Sequence, residues 1–125
     1  MSTHIQDSHA FHGISLHVNI TVAPENVDKF LAAFKICFDA VTAEPECTFF
    51  EVFHDADNPG HFRFVENWSK DEEWFRKEQL TKAYYKPYVE ATESLWIKPR
   101  ELKFFNRMPA EWMKAKPENM KAGWM

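Results

Sequence analysis

The sequence predicts an α+β domain with its elements in the order β-α-β-β-α-β, the ferredoxin-like split βαβ arrangement. Three observations predict it. Residues 15–22 alternate between apolar and polar side chains with period two. Residues 27–41 repeat apolar side chains at three- and four-residue steps. Two Phe- and Val-rich runs then flank a six-residue segment dense in turn formers, as in a β-hairpin.

Residues 1–13 are polar and His-rich and read as a flexible arm without an apolar signal-peptide core. In the first strand, Leu16, Val18, Ile20 and Val22 share one face, and Ser15, His17, Asn19 and Thr21 share the other. Pro24-Glu25-Asn26 is a turn and helix start. Val27, Phe30, Leu31, Phe34, Cys37, Phe38 and Val41 form the apolar stripe of a helix of about four turns. Glu44-Pro45 ends it, because a residue before proline is pushed out of helical angles. Residues 48–54 form the second strand, 55–60 the turn and 61–68 the third strand.

Ser69 and Glu72 have the spacing of a capping box and start the second helix, along which Trp74, Phe75 and Glu78 lie. Residues 81–93 continue as a short helical stretch bent at Pro87. Residues 94–105 hold the fourth strand, and Pro99 within it argues for an edge or a bulge. The chain therefore divides into an arm (1–13), a domain (14–105) and an extension (106–125). Trp112, Trp124 and four methionines make the extension apolar enough to pack on the domain or on a partner subunit.

The totals narrow the function. A length of 125 residues suits one domain. Aromatic residues make up 16%, with 12 Phe and 5 Trp, which is more than one small core needs and points to an interface or an aromatic-lined pocket. A net charge of −4 with no basic block argues against nucleic acid. No apolar run nears the roughly 20 residues that span a bilayer. Cys37 and Cys47 lack metal-ligand spacing and read as free thiols in a reducing, cytoplasmic setting.

The stretch from Glu44 to Trp68, EPECTFFEVFHDADNPGHFRFVENW, resembles the antibiotic biosynthesis monooxygenase (ABM) domain. That pattern places E-P-G-C, a strand carrying E-V/L, a D-x-D-x-P turn and a strand closing on E-x-W at this spacing. The resemblance extends over about residues 14–105. It implies a homodimer in which two four-stranded sheets pair face to face as a dimeric α/β barrel. It further implies that Leu16, Val18, Ile20 and Val22 face the partner while His17 and Asn19 face a pocket under the chain's own helices.

The resemblance to the oxygenase members implies roles for three positions. Asn19 matches an Asn that binds oxygen or a substrate oxygen. Trp68 matches a Trp that packs on the substrate ring. Glu78 falls where haem-degrading members place an iron-ligating His, and a carboxylate is a poor substitute for imidazole there.

The residues add their own candidates. His17, about 7 Å from Asn19 on the same strand face, has the pKa range of a general base, although a surface histidine reads equally simply. Glu66 shares a face with Phe64 and Trp68. A carboxylate on an aromatic face needs a partner or a raised pKa. Trp74, Tyr84, Tyr85 and Tyr88 cluster around the second helix, where they either line a pocket or simply pack on the sheet.

The expected catalytic set is thus His17, Asn19 and Trp68. The expected substrate-binding set is Glu66, Phe64, Trp74, Glu78, Tyr84, Tyr85 and Tyr88. The implied activity is a cofactor-independent monooxygenase of a phenolic or polycyclic aromatic substrate, with molecular oxygen as co-substrate and with no metal. An isomerase, cyclase or decarboxylase of a phenolic acid, or a dimeric small-molecule binding protein, fits the same pocket.

Overall fold

A computed structural model describes residues 11–119. Its elements are β1 (Ile14–Thr21), α1 (Val27–Thr42), β2 (Cys47–His54), β3 (His61–Trp68), α2 (Glu72–Trp74), α3 (Tyr85–Thr92) and β4 (Glu101–Asn106). Single 3-10 turns stand at Pro24–Asn26, Glu93–Leu95, Ala110–Trp112 and Pro117–Asn119. The four strands form one antiparallel sheet in the order β2-β3-β1-β4. This is the predicted ferredoxin-like arrangement, with β1 and β3 central and the helices on one face.

Register decides which side chains meet. Leu16 lies opposite Glu66 and Phe104, and Val18 lies opposite Phe64 and Leu102. Ile14, Leu16, Val18 and Ile20 therefore share the inner face with Phe62, Phe64, Glu66 and Trp68, and all eight are buried. Helix α1 lays Phe30, Phe34, Cys37 and Val41 on that face. Phe34 stacks on Phe64 with centroids 4.3 Å apart and planes 14° from parallel. Each such buried apolar side chain contributes about 1.5–3 kcal/mol, so this aromatic layer is the main source of cohesion between helix and sheet.

The expected division of β1 is reversed by this packing. Leu16, Val18, Ile20 and Val22 face the chain's own helices, while His17 and Asn19 lie on the opposite, outer face. The reason is elementary. The helices cover only one side of the sheet, and the side they cover must be the apolar one.

Several boundaries also differ from those the sequence predicts. The N-cap of α2 is Asp71, whose carboxylate accepts from the Trp74 amide at 2.9 Å, rather than Ser69. Asp71 has the extended backbone angles a cap needs immediately before the first helical residue. Pro87 does not bend a helix. It sits in the first turn of α3, where a missing N–H costs nothing. Trp96 makes an isolated bridge to Val22, and β4 begins only after Pro99, at Glu101.

Helix α2 runs directly into a π turn at Phe75–Gln79, closed by the Leu80 amide on the Phe75 carbonyl at 2.8 Å. The extra residue in this turn rotates the chain beyond it, and so decides which side chains reach the interior.

After β4 the chain crosses back to the start of β1, where the Arg107 amide donates to the Gly13 carbonyl at 2.9 Å. Met113, Lys114 and Ala115 line a gap beside Thr48, Phe49 and Asn67, while Trp112 is largely exposed. Trp124 and two of the methionines of the extension lie outside the described residues, as does most of the expected N-terminal arm.

Candidate active site

A cleft opens between the inner face of the sheet and the layer formed by α1, the π turn and α3. The space free between its walls is about 50 Å³, so a ring system enters only as the lining side chains move apart. Phe34, Phe64, Phe75 and Leu102 supply apolar wall, and Glu66, Tyr85, Tyr88 and Arg100 supply the polar chemistry. A concave, mostly apolar space with a few convergent polar groups is the usual form of a small-molecule site.

Glu66 is the most unusual of these groups. It is 7% exposed, and its Oε1 accepts the Trp68 indole N–H at 3.0 Å. Burial raises its pKa from 4.5 to about 7, and the Trp68 hydrogen bond and the charge of Arg100 hold it from going higher. A carboxyl so placed is half ionised near neutral pH, which is what a general base or acid requires. Trp68 is fully buried and meets Phe75 edge-on at 5.2 Å, so its ring has little freedom and fixes the Glu66 carboxylate it bonds.

Three aromatic hydroxyls stand nearby. Burial pushes the Tyr84, Tyr85 and Tyr88 hydroxyls well above their usual value, so all three remain protonated. Tyr85 and Tyr88 line the cleft; Tyr84 stands behind them and bonds to Glu44 at 2.7 Å. Burial also pushes the Cys37 thiol up to about 12, so this cleft-lining cysteine is a poor nucleophile.

The expected residues thus divide. Phe64, Glu66, Tyr85 and Tyr88 line the cleft, and Trp68 stands directly behind Glu66. Trp74 is half-buried, with its ring 6.1 Å from that of Trp68. Glu78 is exposed on the outside of the π turn, where it can neither bind a substrate in the cleft nor ligate a metal there. The π turn delivers Gln79 inward instead, fully buried. Sequence reasoning missed Gln79 and Arg100. The first depends on a π turn that has no sequence signature, and the second on β4 starting later than its pattern implied.

His17 and Asn19 belong to a separate group on the outer face. Asn19 Oδ1 takes hydrogen bonds from Arg63 Nε at 3.1 Å and from His61 Nε2 at 3.1 Å, and His61 Nδ1 lies 3.1 Å from Asp55. His17 bonds Ser15 at 3.1 Å and packs on the Phe105 ring, with centroids 4.8 Å apart. Burial and the charge of Arg63 lower its pKa. Among the described residues no group of three or more His, Cys, Asp or Glu side chains is arranged to hold a metal ion, and no helix there is long and apolar enough to cross a membrane.

The profile of the family described as antibiotic biosynthesis monooxygenase matches residues 13–85. The chain belongs to the antibiotic biosynthesis monooxygenase family. A relative from Pestalotiopsis microspora, named "Putative monooxygenase GME11364", is 43% identical over 102 residues, covering 81% of this chain and 85% of its own. Among solved structures, an ABM-type protein of Caulobacter crescentus CB15 superposes with a TM-score of 0.71 at 18% identity, covering 84% of this chain and 99% of its own. A conserved protein of Methanosarcina mazei Go1 gives 0.68 at 20% identity, covering 82% and 96%. At these identities the two structures establish the ABM fold alone.

Proposed function

We propose that the protein is a monooxygenase that oxidises a phenolic or polycyclic aromatic substrate in the cleft between sheet and helices, with no metal or flavin taking part. The observation that carries this reading is Glu66, a buried carboxyl poised near pH 7 on an aromatic-walled cleft. Ionised Glu66 takes a proton from an acidic C–H or O–H of the bound ring system, leaving a delocalised anion. That anion passes an electron pair to molecular oxygen in one-electron steps, and a carbon–oxygen bond forms as a peroxide. With a ring methylene as the reacting carbon, loss of water from the hydroperoxide leaves a ketone. The balance is one CH₂ and one O₂ giving one C=O and one H₂O. The aromatic walls hold the ring flat and exclude bulk water.

The base in this reading is Glu66 rather than His17, and Asn19 takes no part, because the sheet separates both from the cleft. The outer face that carries His17 and Asn19 also exposes about half of Phe53 and Phe105. We assign that face to pairing with a second copy, which makes the active form a homodimer and keeps the oxidation inside each subunit.

The test uses dithranol, a tricyclic dihydroxyanthrone with an acidic ring methylene, and tracks oxygen uptake above its spontaneous oxidation. The expected result is uptake that depends on protein, falls about 100-fold or more in Glu66→Gln, and changes less than threefold in His17→Ala and Asn19→Ala. Turnover that continues unchanged without oxygen would falsify the oxygenase and favour an isomerase or decarboxylase using the same base.

A further inference from the structure

The polarity of one hydrogen-bonded chain assigns a role to a residue pair behind the cleft. Glu44, near the surface, is held ionised: the Tyr84 hydroxyl bonds its Oε2 at 2.7 Å and Lys82 Nζ lies 3.2 Å from the same oxygen. An ionised carboxylate only accepts, so the single hydroxyl hydrogen of Tyr84 is committed to Glu44. The Tyr84 oxygen can then only accept from its other neighbour, Gln79, 2.7 Å away. The Gln79 atom at that position must be the amide nitrogen, and the same nitrogen lies 2.9 Å from the Tyr85 hydroxyl oxygen.

Tyr85 therefore also accepts from Gln79. Its own O–H hydrogen has no acceptor among the described residues, and Tyr85 lines the cleft. Gln79 is completely buried, and its carbonyl oxygen has no partner among the described residues, so the amide enters this chain through its NH₂ group alone.

We propose that Tyr85 donates its hydroxyl hydrogen to an oxygen of the bound substrate, and that Gln79 is the positioning residue that keeps that hydrogen turned toward the cleft. The proposal rests on the monooxygenase reading and narrows its substrate class. The ring system must carry a ketone, phenol or phenolate oxygen close to the carbon or oxygen that Glu66 deprotonates. When the proton leaves, negative charge develops on that oxygen, and a donor already oriented in a cleft of low polarity stabilises it without reorganisation. Gln79 strengthens the donor, because a hydroxyl that accepts one hydrogen bond donates a stronger one. The π turn is what makes this possible. An uninterrupted α-helix would not bring residue 79 inward in this way.

Two measurements test it. The first needs no substrate. The ring-mode Raman doublet of tyrosine distinguishes accepting from donating hydroxyls, and subtracting the Tyr85→Phe spectrum isolates Tyr85. We expect accepting character in the wild type and its loss in Gln79→Leu. A purely donating wild-type signature overturns the assignment of direction.

The second is a double-mutant cycle on dithranol oxidation. Tyr85→Phe should lower kcat about 30- to 100-fold with KM changed less than threefold, Gln79→Leu should lower kcat by about tenfold, and the double variant should be no slower than Tyr85→Phe. If Gln79→Leu does not fold, Tyr84→Phe takes its place. It frees the Gln79 amide to turn over and should cost kcat severalfold. Full kcat in Tyr85→Phe, or multiplicative losses in the double variant, overturns the proposal. A wild type without oxygen uptake on dithranol counts against the monooxygenase reading, while the Raman result still decides the direction of the Tyr85 hydrogen.

Discussion

Replacing Glu66 with Gln should make the protein inactive and more stable at once. Gln is nearly isosteric, and its carbonyl oxygen can still accept the Trp68 indole N–H that Glu66 now receives at 3.0 Å. What disappears is the burial cost of a charge. The Glu66 pKa lies at about 7 in the folded chain against 4.5 for an unperturbed carboxyl. Because the folded value is raised, the favourable contribution is complete below about pH 4.5 and is lost as pH rises through 7. At pH 8 the folded wild type therefore carries a penalty of roughly 3 kcal/mol from this one group.

Urea denaturation at pH 5 and pH 8, monitored by tryptophan fluorescence, measures it. Glu66→Gln should exceed the wild type by about 2–3 kcal/mol at pH 8 and by less than about 1 kcal/mol at pH 5. A thermal melt at pH 8 should move up by on the order of 10 °C. Equal stabilities at both pH values would mean that Glu66 is neither desolvated nor poised, and the case for it as the base would collapse. A functional group kept at a cost to stability is the usual sign of a site under chemical rather than structural selection.

Other outcomes rest on the same geometry. The pH profile of kcat/KM should rise through an inflection near 7 as Glu66 ionises, and Arg100→Met should move that inflection upward by removing the cation that favours the charged form. Phe53→Asp together with Phe105→Asp on the outer face should convert a homodimer to monomer in light scattering, with the far-UV spectrum retained; an unchanged mass disposes of the assigned interface. A Cβ at Gly60 would stand 1.8 Å from the Val22 carbonyl oxygen, so Gly60→Ala should lose more than about 1 kcal/mol in urea melts. Cys37 should resist alkylation at pH 8 in the native protein and react only on unfolding, and rapid native modification would contradict its burial.

The strands were largely legible in the sequence because period two and turn chemistry are local signals. His61–Trp68 emerged with the bounds the structure gives it, and the α1 stripe through Phe30, Phe34, Cys37 and Val41 is the buried face. Which face of β1 looks inward was masked by the expected dimer. Periodicity sorts Leu16, Val18 and Ile20 from His17 and Asn19, and polarity favours the apolar set against the helices, but an apolar face is also what a partner's sheet would cover. The π turn was equally hidden, since one extra backbone residue in a turn leaves no mark on composition, yet it exchanges Glu78 for Gln79 at the interior. Glu66 was visible as a carboxylate on an aromatic face. Its depth, and the indole that holds it, required the register of β1 against β3.

The proposed oxidation takes place in the inner cleft, with Glu66 as the base, and not on the outer face. The most direct measurement is the position of a bound product-like quinone, 1,8-dihydroxyanthraquinone, in a crystal of the protein. The expected result is a ring lying flat between Phe34 and Phe64 on the one side and Phe75 on the other, with one oxygen within hydrogen-bond reach of the Tyr85 hydroxyl and the central ring beside Glu66. Density for the quinone against His17, Asn19 and Arg63, with the inner cleft left empty, would contradict it.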